Sequence, residues 1–192
     1  MYIPICYVFS MSKKDDILNT TLRLVIEKGI HNTPMSLIAD EAGVGMGTIY
    51  NYFASKEVLI NALYLKLKED EADYMLKNSK SGMTVRQGFF FFWTNILNYF
   101  INHPKEFQFL EQFNFSPLID LKARQQGALY FTELTKVYEE GCNQDIFKKG
   151  DITQQIYFTH GSLASLAKFH ILGDVCLDDR AIKFAVTADW DA

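Results

Sequence analysis

The stretch MSLIADEAGVGMGTIYNYFASK, from Met35 to Lys56, decides the fold. Its apolar residues recur at helical rather than alternating spacing. Gly43 lies between two short runs, where a glycine can take the left-handed conformation that turns a chain sharply. Thr33-Pro34 stands before the first run, with Thr33 as N-cap and Pro34 at the first helical position, where its missing N–H costs nothing. The reading is a short helix over about 34 to 42, a turn at Gly43, and a second short helix over about 46 to 53. Two short helices joined by a turn that contains Gly make a helix-turn-helix, whose second helix can enter the major groove of DNA.

On that second helix Ile49 and Phe53 are one turn apart and face the core, so Thr48 and Asn51 point away from it and Tyr50 and Tyr52 flank them. The outward face is small and polar. Asn51 suits a bidentate contact to adenine, Thr48 offers a hydroxyl and a methyl, and the hydroxyls of Tyr50 and Tyr52 can reach phosphates. Lys56 adds a cation at the start of the next helix. Thr33 and Gly47 complete the expected DNA-facing positions. The alternative for the same stretch is a helical hairpin with its tyrosines buried, and Tyr50 would equally suit packing against the first helix.

Working outward, residues Ile17, Leu18, Thr21, Leu22, Leu24 and Val25 fall within an arc of roughly 160°, which predicts an amphipathic helix from Lys14 to Lys28, closed by Gly29. Ser55 caps a long helix over 56–78 that carries Val58, Leu59, Ala62 and Leu63 on one side before the acidic run Glu69-Asp70-Glu71. Ser79-Lys80-Ser81-Gly82 reads as a linker. Beyond it, helices are expected at about 84–102, 104–115, 118–141, 151–173 and 178–190, with a break at His103-Pro104 and N-caps at Asp151 and Asp178. The fold class is all-α: a three-helix helix-turn-helix domain over 11–56, then a larger helical domain over 57–192, with helix 56–78 shared.

Ile38-Ala39, Ala42-Gly43-Val44, the run from Gly47 to Phe53 and Ser55-Lys56-Glu57 together resemble the N-terminal domain of TetR/AcrR-family transcriptional regulators, over about residues 14 to 64. The resemblance implies a homodimeric repressor that binds double-stranded DNA and is controlled by a small-molecule effector in its C-terminal domain. Two departures stand out. Many members carry Ser-Lys where this chain has Gly45-Met46, so a helix cap and a phosphate contact are missing. Residues 1–78 also hold 8 basic and 10 acidic side chains, where a basic domain is the ordinary expectation. A modest dependence of DNA affinity on salt follows, resting on Lys13, Lys14, Lys56 and helix N-termini.

Composition agrees with a globular protein: 192 residues, 48% hydrophobic, 22% charged, net charge -4. Cys6, Cys142 and Cys176 are widely spaced, without a C-x-x-C pair or a nearby His, so they read as free thiols and no metal site or cofactor is expected. The apolar start lacks the flanks of a signal peptide, no stretch suits a membrane span, and a cytoplasmic protein is expected. Met11-Ser12-Lys13 looks like a start, and residues 1–10 read as an unstructured or artefactual extension. No G-x-S-x-G, H-E-x-x-H, P-loop or G-x-G-x-x-G marks an enzyme. The remaining alternative is a helical protein-interaction module whose helix-turn-helix does not bind DNA.

Aromatic residues cluster after residue 88, and Phe89 to Trp93 are five in a row. On a helix they spread around the whole circumference, so either other helices surround this one or some rings line a cavity or interface. The resemblance favours a cavity, with Phe92, Trp93, Ile96, Phe100, Phe113, Tyr130 and Tyr157 as its wall and an apolar or aromatic ligand inside. His160 and His103 are candidate orienting groups, each equally readable as an ordinary histidine. Gly161, Ser162, Ala164, Ser165 and Ala167 are small residues that allow a helix to approach closely. With Phe169 and Phe184 they mark the last two helices as the dimer interface, against the alternative of packing within the chain.

Overall fold

The computed structural model describes residues 12–192, so Cys6 and the expected extension over residues 1–10 lie outside the described residues. Among those described are ten helices and no strand: α1 (Lys13–Lys28), α2 (Met35–Glu41), α3 (Met46–Tyr52), α4 (Lys56–Leu76), α5 (Val85–Asn102), α6 (Pro104–Phe113), α7 (Leu121–Leu129), α8 (Thr132–Asn143), α9 (Ile152–Leu172) and α10 (Asp179–Asp191). They form two compact units divided after Leu63, within α4. No described helix is long and apolar enough to cross a membrane.

In the first unit, α1 begins at Ser12, whose Oγ accepts the Asp15 N–H at 3.2 Å, and Asp15 and Asp16 stand at the positive end of the helix dipole. It ends at Gly29, with φ 78°, a conformation that side chains with a Cβ avoid. The residues it buries are Ile17, Leu18, Thr21, Leu22, Leu24 and Val25, the stripe expected from the period. With Met35, Ile38 and Ala39 of α2, and with Ile49 and Phe53, they make the core of this unit.

The start of α2 departs from expectation. The helix begins at Met35 with an extended Pro34 as its cap residue, and the Thr33 hydroxyl turns the other way. It donates to the carbonyls of Gly29 (2.9 Å) and Leu24 (3.3 Å), tying the loop to the end of α1. The competition between a helix N-terminus and two carbonyls at the end of α1 is won by the carbonyls, which the loop brings within reach of the hydroxyl.

In the second unit α5 packs against α6, α8, α9 and α10. That is why five consecutive aromatics are tolerated: Phe89, Phe92 and Trp93 are buried, and Phe89 alone meets the rings of Tyr138, Phe147 and Trp190. Thr84 caps α5 in a reciprocal box with Gln87, and Asp151 and Asp178 cap α9 and α10 as expected. The single helix expected over 118–141 is instead two, α7 and α8. The Thr132 hydroxyl donates to the Leu129 carbonyl at 2.6 Å, and the half-buried Phe131 packs against the core, so a local hydroxyl and this ring override a sequence without a breaker.

Candidate nucleic-acid interface and ligand cavity

The turn between α2 and α3 is closed by backbone bonds from Gly43 N–H to the Asp40 carbonyl (3.2 Å) and from Val44 N–H to the Ala39 carbonyl (2.9 Å). Gly43 sits at φ 65°, which only a residue without Cβ adopts freely. α3 is held inward by Ile49 and Phe53, which are 0% and 1% exposed. The other side then faces outward: Gly47 and Asn51 are exposed, Thr48 is half-buried, and Tyr50 and Tyr52 are 49% and 45% exposed. The tyrosines are therefore not core residues, against the buried-hairpin alternative. Gly45 precedes α3 without a side-chain cap, as its lack of a side chain requires.

Two expected DNA-facing residues are placed differently. Thr33 is 0% exposed and fully engaged with α1 and Gly29, so it cannot reach a phosphate. Lys56 is half-buried and its Nζ donates to the Ile30 carbonyl; burial pushes its pKa down, partly offset by Glu57. An ammonium at a helix start finds the nearer carbonyl acceptor, which spacing along the chain does not reveal. A further cation is also engaged: Arg23 pairs with Glu41 at 2.7 Å and Glu27 at 3.5 Å. The Arg23 hydrogen bond holds the Glu41 carboxyl below its usual range.

The second unit contains a cavity of about 340 Å³. Its apolar wall comes from Trp93 and Ile96 of α5, Phe115, Ala128, Phe131, Leu134, Ile152 and Ile156. Polar groups converge on it from Tyr64, Lys68 and Glu71 of α4, from Asn114, Arg124, Thr135 and Thr153, and from Tyr157 and His160 of α9. Lys68 Nζ lies 2.7 Å from Glu71 Oε2 and 4.2 Å from the centre of the Phe131 ring. The Tyr64 hydroxyl donates to Asn114 Oδ1 at 3.0 Å. Trp93 is fixed from behind: its Nε1–H donates to the Tyr138 hydroxyl, which donates to Thr159 Oγ1, each at 3.0 Å. Burial pushes the Tyr138 hydroxyl up to about 12, so it stays a donor.

Of the seven residues expected in a cavity wall, Trp93, Ile96 and Tyr157 line this one. Phe92 instead borders a small groove beside Gly82 and Val137. Phe100 stacks on Phe107 and meets the edge of His160, one layer behind the wall, and Phe113 stacks on Phe109 in the core. Tyr130 caps the end of α7 and does not line the cavity. Rings on one helix point several ways, and only the neighbours' positions select which ones meet a void. Of the two histidines, His160 reaches the cavity, whereas His103 stacks on Tyr99 at 4.6 Å. Most of the polar wall was missed by sequence reasoning. One signal was available: Tyr64, Lys68 and Glu71 recur at i, i+4 and i+7, a single helix face.

On α9, Phe158, Gly161, Ser165, Phe169 and Leu172 share an outward arc of about 80°. Phe158 is 67% exposed and Leu172 72%, and Phe184 of α10 is 75% exposed. Ser162 does not share this face. Its hydroxyl bonds both oxygens of Asp189 of α10, at 2.7 and 2.6 Å, an intrachain contact. Ala164 and Ala167 also turn inward.

A helix-turn-helix with a polar outward recognition helix, followed by a helical unit with its own cavity, defines the class of DNA-binding transcriptional regulators. Residues 17–63 match the family described as bacterial regulatory proteins, tetR family, and residues 85–192 match a tetracyclin repressor-like C-terminal domain. The chain belongs to the TetR family. It is 31% identical over 71 residues to the fatty acid metabolism regulator protein of Bacillus subtilis (strain 168), covering 37% of each. It is 38% identical over 53 residues to the HTH-type transcriptional regulator UidR of Escherichia coli (strain K12), 28% of this chain and 27% of that one. The chain thus spans about a third of the length of these curated relatives. A TetR family transcription regulator from Marinobacter aquaeolei VT8 shares its fold at a TM-score of 0.86, with 22% identity over 93% of this chain and 94% of the other.

Proposed function

We propose that this regulator is a repressor released from its operator by a small apolar effector, and that it works as a homodimer. Two copies of α3 would lie about one DNA turn, or a multiple of it, apart on a pseudo-palindromic operator. Thr48 and Asn51 read base edges there, and Tyr50, Tyr52 and the Gly47 backbone contact phosphates. The exposed stripe from Phe158 to Leu172, with Phe184, pairs with its copy and buries apolar surface that a lone chain leaves in water. The observation that carries the effector reading is the cavity: Tyr64, Lys68 and Glu71 in its wall belong to α4, whose first residues belong to the DNA-reading unit. An occupant that changes how α4 packs acts directly on the helix that leads into that unit.

Selection of bound fragments from genomic DNA by the purified protein tests the reading, with a salt titration on the winners. An inverted repeat and a shallow salt dependence are expected, because Lys56 and Arg23 are engaged within the protein. Recovery of nothing above background would overturn it. Effector and operator must also weaken each other by the same factor. Phe158→Asp combined with Phe184→Asp should give a monomer in sedimentation, and an unchanged dimer would place the interface elsewhere.

A further inference from the structure

The charges around the cavity constrain what its occupant carries, an inference that rests on the effector-site reading above. Lys68 and Glu71 offset each other at 2.7 Å, and Glu71 is 2% exposed. Burial pushes His160 down from an ordinary value of 6.5, so its ring is neutral at neutral pH and adds no charge. Arg124 remains. Its Nη2 donates to the Ser116 carbonyl at 2.7 Å, but its Nε is buried and has no protein partner. Among the described residues no carboxylate lies within 4.0 Å of its guanidinium. A guanidinium does not lose its proton, so the cavity wall carries one uncompensated positive charge beside an apolar surface of Trp93, Ile96, Leu134 and Ile156.

We propose that the cavity takes an apolar organic acid, with its hydrocarbon body against these side chains and its carboxylate on the Arg124 guanidinium. The fork of a guanidinium matches a carboxylate, and a charge-assisted hydrogen bond to it supplies the counter-charge that no carboxylate of the described residues offers within 4.0 Å. A neutral molecule of the same shape covers Arg124 without supplying a counter-charge, and a cation is repelled.

Calorimetric titration of the full-length protein with decanoate, decanol, phenylbutyrate and phenylbutanol tests this, alongside Arg124→Gln and Arg124→Lys. At least one acid should bind about tenfold or more tightly than its alcohol, as a charge-assisted pair requires. Arg124→Gln should remove that preference by weakening the acid and not the alcohol, and Arg124→Lys should keep part of it. Alcohols that bind as well as the acids, a preference that survives Arg124→Gln, or no binding by any of the four would overturn the proposal. If Arg124→Gln does not fold, the acid-to-alcohol ratio of the unaltered protein and of Arg124→Lys decides. Operator release, measured separately, keeps the two readings apart. An acid that binds through Arg124 but leaves DNA affinity unchanged refutes the effector reading alone. Release by the alcohols, indifferent to Arg124, refutes only the acid.

Discussion

Replacing Tyr138 with Phe removes one hydroxyl from the layer behind the cavity and almost nothing else. The ring keeps its packing against Phe89 and Phe147, so no void opens. Two hydrogen bonds are lost, from Trp93 Nε1–H and to Thr159 Oγ1. Their consequences differ. Trp93 is 1% exposed and cannot turn to water, so its N–H is left without an acceptor. Thr159 keeps its own bond to the Gln155 carbonyl at 3.4 Å and loses only an incoming donor. Leaving a buried donor unpaired costs about 1–3 kcal/mol, and a central value of about 2 kcal/mol fits the loss expected here. For a chain of this size that corresponds to a fall in Tm of about 4–8 °C. Thermal unfolding followed by circular dichroism and by tryptophan emission would read it, and Tyr138→Phe combined with Thr159→Val should cost less than the sum of the two changes. A Tyr138→Phe protein that melts within about 1 °C of the parent would refute the reasoning, since the Trp93 N–H would then have another acceptor.

Three further outcomes are expected. Asn51→Ala should cost about 1–3 kcal/mol of discrimination between operator and mismatched DNA in competition binding, and indifference would favour the protein-interaction alternative. Gly141→Ala places a Cβ 2.2 Å from Phe147 Cδ2, so that ring must leave Tyr138 and Trp190; a loss of about 1–3 kcal/mol in denaturant unfolding should follow. Burial raises the pKa of Asp189 above its ordinary value, opposed by the Ser162 hydrogen bond. The folded chain therefore holds this proton more tightly than the unfolded one, and its contribution to stability is greatest in acid and declines as pH rises from about 4 through the folded pKa. Asp189→Asn should remove that slope from unfolding curves measured across this range, and an unchanged slope would show that Asp189 is not its source.

The DNA-reading unit was legible in advance because its signals are local. The stripe from Ile17 to Val25, the glycines at 29 and 43, and the pair Ile49 and Phe53 are each read within one or two helical turns, where covalent spacing decides which side chains share a face. The two residues misplaced there, Thr33 and Lys56, are polar side chains with more than one acceptor in reach. Spacing says that such a group sits near a helix start; it does not say which carbonyl stands closest once α1 has ended at Gly29.

The second unit divides along the same line. Helix ends marked by Pro104, Asp151 and Asp178 were visible as a breaker and two caps, because capping is chemistry between neighbours in the chain. The break before Thr132 was not, since it depends on Phe131 finding the core. By itself the sequence determined the all-helical fold, the recognition helix and the family resemblance. Only the tertiary structure decided that Trp93 and Ile96 meet the cavity while Phe92 and Phe100 do not, that Lys68 is offset by Glu71, and that Arg124 stands without a counter-charge. A void and an unpaired charge are defined by what distant segments bring to the same place, and helical period carries no record of those neighbours.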